Sequence, residues 1–227
     1  MMEIQLKVQK PLKDLVYLEL KHKILTGEIV SQTRLMEIDL SEKMNVSRTP
    51  IREAIKRLAD DGLVKVEPRR GAYVANISIK DMLDVFEVRE DMEGFCAKLA
   101  AERITDEEKE ELRAIAAEYE HALAQGDKEV IIELDEKFHN YIVSCSGNET
   151  LSELVNYVQE LSLRFRYLYY NDFSLYESTA EQHNRIMEAI NCGRSEEARY
   201  EADAHVKALK EFVFELGKKM EDMGENE

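Results

Sequence analysis

The stretch NVSRTPIREAIKRL, residues 45–58, determines how the N-terminal part of this chain folds. Its apolar side chains recur at helical spacing, so that one face of a helix turns inward. These residues are Ile51, Ala54, Ile55 and Leu58. Ser47 offers a hydroxyl to cap the start of the helix, and Pro50 falls in the first turn, where a missing amide hydrogen costs little. Gly62 is predicted to end the helix.

A shorter helix is predicted just before it, over Met36–Met44, and Asn45 separates the two. Two helices joined by so short a turn indicate a helix-turn-helix. The second helix leaves Arg48, Thr49 and Arg52 on its outer face, near its N-terminal end. Cations and hydroxyls there suit reading of the DNA major groove, because recognition helices meet base edges and phosphates with their first residues.

Two β-prone runs follow, Leu63–Val66 and Ala72–Ala75, joined by the residues EPRRG. They predict a hairpin with a basic tip, and the whole order of elements predicts a winged helix. A small helical domain with a charged face is the alternative that periodicity alone leaves open.

The residues themselves resemble a known family. Residues 34–75, RLMEIDLSEKMNVSRTPIREAIKRLADDGLVKVEPRRGAYVA, are similar to the N-terminal domain of GntR-family transcriptional regulators. The resemblance implies that Arg48, Thr49 and Arg52 contact double-stranded operator DNA, and that Gly71 lets the wing approach the minor groove. The complete predicted DNA-binding set is Arg34, Ser47, Arg48, Thr49, Arg52, Arg69 and Gly71.

One position departs from the family pattern. Many members of the fatty-acid-responsive type carry an Arg where Ile38 stands here. Arg34 is the candidate substitute for that DNA contact. The plainer interpretation of Arg34 is a solvated side chain at the start of a helix.

The length and composition of the chain agree with two domains. At 227 residues, 44% of them hydrophobic and only three of them proline, the chain can bury two mainly helical cores. We therefore predict a mainly α fold. Residues 1–76 form a winged helix-turn-helix domain, and residues 77–227 form an antiparallel α-helical bundle for effector binding and dimerisation.

The net charge of −16 conceals an asymmetry between these halves. Residues 1–76 hold 14 Lys and Arg against 11 Asp and Glu, whereas the remaining residues hold 17 against 36. A weakly positive domain binds DNA poorly alone, because affinity rises with the number of phosphates neutralised. A homodimer on a palindromic operator would restore the affinity.

Compartment and redox state follow from what the sequence lacks. No apolar run reaches membrane-spanning length, and the N-terminal MMEIQLKVQK has no signal-peptide core. We expect a cytoplasmic protein without a membrane partner. Cys96, Cys145 and Cys192 are widely spaced in helical patterns, which favours reduced structural thiols.

The second domain is predicted to be helical throughout. Ser78 with Asp81, and Thr105 with Glu108, are predicted to cap its first two helices. Short junctions make consecutive helices antiparallel. The helices are predicted over Ile79–Arg103, Asp106–Gln125, Lys128–Ser144, Glu149–Tyr170, Leu175–Asn191 and Glu196–Met220.

A metal site follows from positions along this bundle. Asp135 and His139 are four residues apart and share a helix face. At about 1.5 Å of rise per residue, His139, His183 and His205 lie roughly 12 to 16 Å from loops at one end of the bundle. They can converge on zinc, nickel, cobalt, manganese or iron if their faces agree. The plainer interpretation is that each histidine is a buried polar residue satisfied by a neighbour.

A second resemblance supports the metal. The segments LDEKFHNYIVSCSGNETL, EQHNRIMEAI and ADAHVKAL are similar to the FCD effector domain of FadR-type regulators. The resemblance implies that Asp135, His139, His183 and His205 hold one divalent transition metal per chain, with zinc first among the candidates. His121 is excluded, because its height along the bundle differs from that of His139 by about 12 Å.

The resemblance also implies a small organic effector, expected to be a carboxylate. Arg89 lies in a segment similar to the first helix of the effector domain, where an Arg pairs with a ligand carboxylate. An ordinary ion pair between Arg89 and Glu93 on a solvated face is the alternative. Asn184 and Arg185 are weaker candidates for the rim of the site.

Together these features predict a dimeric, metal-containing, ligand-responsive transcriptional repressor, and not an enzyme. Effector binding would shift the population between two arrangements of the DNA-binding domains. Two alternatives stay open. A metal sensor would use the same ligands with the ion as its signal. A metal-dependent enzyme fused to a DNA-binding domain would need a general base, for which Glu136 or Glu181 are candidates.

Overall fold

The computed structural model describes residues 10–76, 78–169 and 176–224. Its residue contacts divide the chain into two compact units, Met1–Asn76 and Ile77–Glu227. Each unit is described by itself. Within the described ranges, no helix has the length and apolar character that crossing a membrane requires.

The first unit is a winged helix-turn-helix, as predicted. Its elements are α1 (Leu12–Leu25), β1 (Arg34–Leu35), α2 (Glu37–Met44), α3 (Arg48–Asp60), β2 (Val64–Glu67) and β3 (Gly71–Val74). Helix α1 packs against α3, and the predicted apolar face of α3 is buried. Leu20 and Ile24 of α1 and Leu58 of α3 are almost completely shielded from solvent. Burial of this apolar surface is the main force that holds the unit together.

The turn between α2 and α3 has the geometry that its sequence indicates. Asn45 adopts the left-handed conformation, with φ of 52° and ψ of 46°. The Ser41 hydroxyl donates to the Val46 carbonyl at 2.6 Å, which fixes the turn from within. Ser47 occupies the N-cap position of α3, but its side chain makes no capping hydrogen bond. The prediction that Ser47 is the N-cap residue was therefore correct, and the prediction that its hydroxyl caps the helix was wrong.

The wing is the hairpin of β2 and β3, which pair antiparallel from Val64 opposite Val74 to Glu67 opposite Gly71. Arg69 at its tip has a φ of 64°, and Gly71 has a φ of 116°. Strand β1 adds a third strand on the other side of β3. The sequence analysis missed β1, because a two-residue strand has no periodicity of its own.

The second unit is helical in its described residues. The helices are α4 (Ile79–Arg103), α5 (Asp106–Gln125), α6 (Lys128–Cys145), α7 (Glu149–Tyr169), α8 (Tyr176–Asn191) and α9 (Ser195–Gly224). Predicted and observed ends agree within one residue, except that α9 continues to Gly224. The predicted junction at Asn171 and Asp172, and the predicted helix residues Tyr170 and Leu175, lie outside the described residues.

The two predicted caps of this unit are present as complete capping boxes. Ser78 accepts from the Asp81 amide, and the Asp81 carboxylate accepts from the Ser78 amide. Thr105 and Glu108 repeat the arrangement at the start of α5. Each box satisfies two amide groups that a helix start would otherwise leave without a partner.

Helix α4 is central to the bundle, because it contacts α6, α7, α8 and α9. It runs antiparallel to α9, so that Gly217 lies beside Ile79 and Gly94 lies beside Asp203. One core cluster is built around Leu112, Phe138, Ile142 and Ile190. A second is built around Phe86, Tyr119, Ile131 and Val206. The buried histidines of the bundle lie where these two clusters meet, since the His183 ring contacts both Phe138 and Tyr119.

Truncation of one core side chain tests this packing. Leu112 is fully buried on α5, so Leu112→Ala should lower the free energy of unfolding by about 2 to 5 kcal/mol through lost burial and a residual cavity. Urea unfolding followed by circular dichroism measures the change. Val130→Ala on α6 is the control, because that side chain is 40% exposed. Equal effects of the two substitutions would contradict the described core.

Candidate functional site

A concave groove of about 640 Å³ lies between the start of α2, the outer face of α3 and the wing. Arg48, Arg52 and Lys56 line it from α3, and Arg34 and Gly71 line it from the sheet. The side chains of Arg48 and Arg52 are 56% and 65% exposed. The residue types and their exposure suit contact with phosphates and base edges.

Glu37 of α2 lies beneath both exposed arginines. Arg52 donates from Nε to Glu37 Oε1 at 3.0 Å and from Nη2 to Oε2 at 2.8 Å. Arg48 donates from Nη2 to the same Oε2 at 3.1 Å. The hydrogen bonds from Arg52 and then Arg48 lower the pKa of Glu37 to about 2, so the carboxylate is ionised at neutral pH. The sequence analysis did not find this residue.

Arg34 and Gly71 adjoin each other on neighbouring strands. A Cβ atom on Gly71 would lie 3.2 Å from Arg34 Nε, and the φ of 116° is itself unfavourable for other residues. Glycine therefore leaves the space that the Arg34 guanidinium occupies. Ile38, at the position that departs from the family pattern, is 52% exposed and lines the same groove.

The remaining predicted DNA contacts are on the surface of the first unit. Ser47 and Thr49 are exposed at the start of α3, and Arg69 is exposed at the tip of the wing. Arg70, beside Arg69, pairs with Glu67 at 3.0 Å.

In the helical unit, three histidines meet at the centre of the bundle. His139 of α6, His183 of α8 and His205 of α9 are buried, and their potential ligand nitrogens lie within 4.8 Å of one another. Asp135 Oδ1 lies 3.6 Å from His183 Nε2 and 3.9 Å from His139 Nε2. Ligands around a tetrahedral ion are roughly 3.4 Å apart. The structure therefore groups the three predicted histidine ligands, with Asp135 beside two of them.

Neighbouring side chains orient two of these rings. His139 Nδ1 lies 3.1 Å from Glu93 Oε2, and His205 Nδ1 lies 2.8 Å from Gln182 Oε1. Both partner atoms can accept a hydrogen bond from Nδ1, and that arrangement would leave a lone pair on Nε2 of each ring. Neither Nε2 has a hydrogen-bond partner among the described residues. Buried nitrogens of this kind suit a metal ion, because a ligand lone pair needs no proton.

The electrostatics of the site keep one imidazole neutral. Burial, followed by the proximity of His183 and His139, lowers the pKa of His205 well below its ordinary value. Neutral imidazole is the form that binds metals.

Arg89 and Glu93 form a buried pair next to His139. Arg89 Nε donates to Glu93 Oε1 at 2.6 Å, and Gln159 of α7 donates to the same oxygen at 3.0 Å. Burial raises the pKa of Glu93, but Arg89 and His139 outweigh that effect and hold the pKa well below its usual range. The alternative interpretation of Arg89, an ion pair with Glu93, was therefore correct. Its second part, that the pair lies on a solvated face, was wrong, because only 1% of Arg89 is exposed. Arg89 Nη1 has no partner in the described part of the chain.

The space beside the histidines is small. A cavity of about 10 Å³ is lined by Glu93, Cys96, His139 and His205, among others, which is room for about one water molecule or ion. Burial, and then the charge of Glu93, raise the pKa of the Cys96 thiol to about 12. A polar groove of about 460 Å³ lies between α6 and α7, and Val143 lines both spaces.

Other candidates from the sequence lie apart from this cavity. Asn184 is partly buried on α8, and Arg185 is exposed and pairs with Glu201 at 2.9 Å. His121 is exposed and contacts Gln125 at 2.8 Å. The sequence analysis missed Gln159 and Gln182, although Gln182 directly precedes a predicted ligand, which was a usable signal.

Comparison with known proteins agrees with this architecture. Residues 12–74 match the bacterial regulatory proteins of the gntR family, and residues 84–208 match the FCD domain. The chain belongs to the GntR family. Both resemblances drawn from the sequence, to the GntR DNA-binding domain and to the FCD domain, are thereby confirmed.

GntR relatives cover most of the chain. The HTH-type transcriptional regulator YdhC of Bacillus subtilis is 32% identical over 190 residues, which are 83% of this chain and 85% of that protein. The HTH-type transcriptional repressor RspR of Escherichia coli is 26% identical over 220 residues, which are 97% of this chain and 96% of RspR. Escherichia coli McbR/YncC shares the fold with a TM-score of 0.78 at 21% identity, over 92% of this chain and 99% of that one.

These findings assign the general function of this GntR protein. It is a DNA-binding transcriptional regulator, and its family and relatives are regulators and not enzymes. The alternative of a metal-dependent enzyme fused to a DNA-binding domain is therefore not supported.

The histidine cluster predicts a pH dependence of stability. His205 stays neutral in the folded chain at pH values where the unfolded chain takes up a proton, so stability should fall as the pH drops below about 6.5. One such histidine contributes up to about 1.4 kcal/mol per pH unit. Urea unfolding at acidic and neutral pH, in the presence of a chelator, measures the slope. His205→Gln should reduce the slope, whereas the control His121→Gln should not. The same slope in wild type and His205→Gln would contradict the burial of a neutral imidazole.

Proposed function

We propose that this GntR regulator is a homodimeric repressor whose helical unit holds a divalent metal and responds to a small carboxylate effector. One observation carries the proposal. Two buried histidine nitrogens, His139 Nε2 and His205 Nε2, face the centre of a ligand cluster and have no hydrogen-bond partner among the described residues. A buried polar atom without a partner costs free energy, and a bound metal ion removes that cost.

The metal ligands in this proposal are Asp135, His139, His183 and His205. Three imidazoles and a carboxylate suit zinc first, with nickel, manganese, cobalt or iron as alternatives. Glu93 and Gln182 keep two of the rings in orientation, as outer partners of metal-bound histidines commonly do. A bound cation of this kind would supply positive charge for the oxygens of an effector.

Arg89 is the proposed second contact of the effector. Its Nη1 group is buried and has no partner among the described residues, so it can donate to a carboxylate without first breaking a bond. The 10 Å³ cavity is too small for an organic ligand, since such pockets are typically about 300 Å³ or larger. We therefore place the entry of the effector at the groove between α6 and α7, where Val143 and Gln159 separate it from the histidines. Asn184 of α8 lines neither this groove nor the cavity, so we do not propose it as an effector contact.

DNA contacts are proposed for the groove of the first unit. Arg48, Arg52 and Thr49 would meet the major groove from α3, with Ser47 at the helix start. Arg34, Arg69 and Gly71 would follow the backbone or the minor groove from the sheet and the wing. Two observations support the assignment: Arg34, Arg48, Arg52 and Gly71 line this groove, and Ser47, Thr49 and Arg69 are exposed.

Dimerisation is proposed through α4 and α7. These helices contact each other through Met92 and Leu99 on one side and Leu151 and Val155 on the other. Large apolar side chains flank that contact and are 40% to 55% exposed; they are Val88, Phe95, Leu154 and Tyr157. Apolar surface of this extent on a soluble domain favours a protein partner, and a second copy would also double the weak positive charge offered to DNA.

A metal sensor remains the second candidate, because the space beside the histidines fits an ion and not an organic molecule. In that case the ion itself would change operator affinity. Titration of the metal into chelator-treated protein, with DNA affinity as the readout, separates the two candidates. A metal that only completes the effector site should leave DNA affinity unchanged when no effector is present.

Elemental analysis tests the metal directly. Plasma mass spectrometry should find about one transition metal per chain in the purified, untagged protein. The triple substitution of His139, His183 and His205 by Ala should abolish it, because these side chains supply three of the four ligands. Alanine substitution of His22 and His121, which lie outside the cluster, is the matched control. Folded wild-type protein without metal would contradict the site.

The dimer interface has a separate test. Val88→Asp combined with Leu154→Asp should convert the dimer to a monomer, because buried carboxylates without partners are costly. Light scattering after gel filtration measures the mass. The control is Tyr200→Asp, since Tyr200 is 67% exposed on α9 and lies outside the α4–α7 face. A wild-type monomer, or a dimer that survives the double substitution, would contradict the interface.

A further inference from the structure

We propose that Glu37 determines DNA sequence specificity by positioning Arg52 for guanine. The inference rests on the proposed DNA contacts of α3. It adds that Glu37 orients Arg52, the residue that would contact the base. Glu37 accepts three hydrogen bonds, two from Arg52 and one from Arg48.

The donor geometry of Arg52 carries the first step. A guanidinium has five N–H groups in a rigid plane. Arg52 uses Nε and one hydrogen of Nη2 for the two oxygens of Glu37. The second hydrogen of Nη2 and one hydrogen of Nη1 then point away from Glu37 as a parallel fork. Such a fork matches O6 and N7 of guanine in the major groove.

The relative exposure of Glu37 and Arg52 indicates which way the two free N–H groups of Arg52 point. The side chain of Glu37 is 28% exposed, and that of Arg52 is 65% exposed. The carboxylate therefore lies below the guanidinium, and the unused edge of Arg52 is on the solvent side. Glu37 also accepts from Arg48, one turn earlier on α3, so the same carboxylate ties both arginines to the start of α2.

Fixing the fork in advance has an energetic consequence. A free arginine side chain loses rotamer entropy when it is immobilised, and a side chain already held in place loses less. The benefit is greatest for a contact that requires one orientation, which a guanine contact does and a phosphate contact does not. Glu37 should therefore favour base reading over general attraction to the backbone.

The charge of Glu37 acts in the same direction. A carboxylate on the DNA-facing side offsets one of the two arginine charges, and it lowers the number of phosphates that the unit can neutralise. Loss of that charge should strengthen binding to any sequence. One added phosphate contact corresponds to about a fivefold gain at physiological salt. Specificity is the difference between the affinities for the preferred and the other sequences. Glu37 therefore raises specificity in two ways, by favouring the guanine contact and by weakening binding to other sequences.

The test uses the full-length protein and a pool of random-sequence duplexes. Selection with wild type gives a preferred duplex, and single base-pair changes in it are then measured by fluorescence anisotropy. Arg52→Ala identifies the guanine position that this arginine reads, because discrimination there is lost. Glu37→Gln is compared with Asp39→Asn, which removes the same charge from an exposed position on the same helix. Thermal melts show that each variant is folded.

Glu37→Gln should bind a mixed, non-selected duplex about fivefold more tightly. It should also lose at least about fivefold of the discrimination at the position identified by Arg52→Ala. Asp39→Asn should change affinity for all duplexes together and keep the discrimination. Glu37→Asp, whose shorter side chain keeps the charge, should restore weak non-selective binding and only part of the discrimination.

Two other outcomes separate the possible errors. If wild type selects no sequence, or if Arg52→Ala keeps every preference, the proposed DNA contacts themselves are wrong. If wild type and Arg52→Ala behave as expected but Glu37→Gln matches Asp39→Asn, only the positioning role is overturned. If Glu37→Gln raises the affinity for selected and non-selected duplexes equally, Glu37 acts only by repelling DNA through its charge. That result would also overturn the positioning role.

Discussion

A buried carboxylate, Glu93, connects three helices of the helical unit. It accepts from Arg89 on its own helix α4, from Gln159 on α7 and from His139 on α6. An isolated buried charge would cost several kcal/mol, and only a full set of donors makes its burial tolerable. Loss of any one of these contacts would leave the buried carboxylate incompletely paired. The position of the His139 ring is therefore held by the whole set of contacts. The contacts of Glu93 thus help to fix the geometry of the histidine cluster.

The first unit uses the same device on its surface. Glu37 accepts hydrogen bonds from two arginines, and Glu93 accepts them from an arginine and a glutamine and lies beside an imidazole. In both cases the carboxylate orients side chains that belong to a proposed ligand site. The difference lies in solvent. Exposed ion pairs contribute little to stability because water screens them, so the value of the Glu37 contacts is geometric. Around Glu93, where water is excluded, geometry and stability depend on the same bonds.

Local features of the chain could be predicted, and most contacts between distant residues could not. The recognition helix, both capping boxes and the ends of most helices depend on spacings of three or four residues, which a sequence displays directly. The convergence of His139, His183 and His205 could also be predicted, because the rise of a helix is constant and short loops fix its direction. Glu37 pairs with residues 11 and 15 positions away, and Glu93 pairs with one 66 positions away, so neither contact leaves a local pattern. The small size of the cavity depends on how the side chains pack, which periodicity does not specify.

The burial of Cys96 has a consequence for thiol chemistry beside the histidines. Oxidation of cysteine proceeds through the thiolate, and a pKa of about 12 leaves almost none of it at neutral pH. Burial, assisted by the charge of Glu93, therefore keeps Cys96 in a form that resists oxidation.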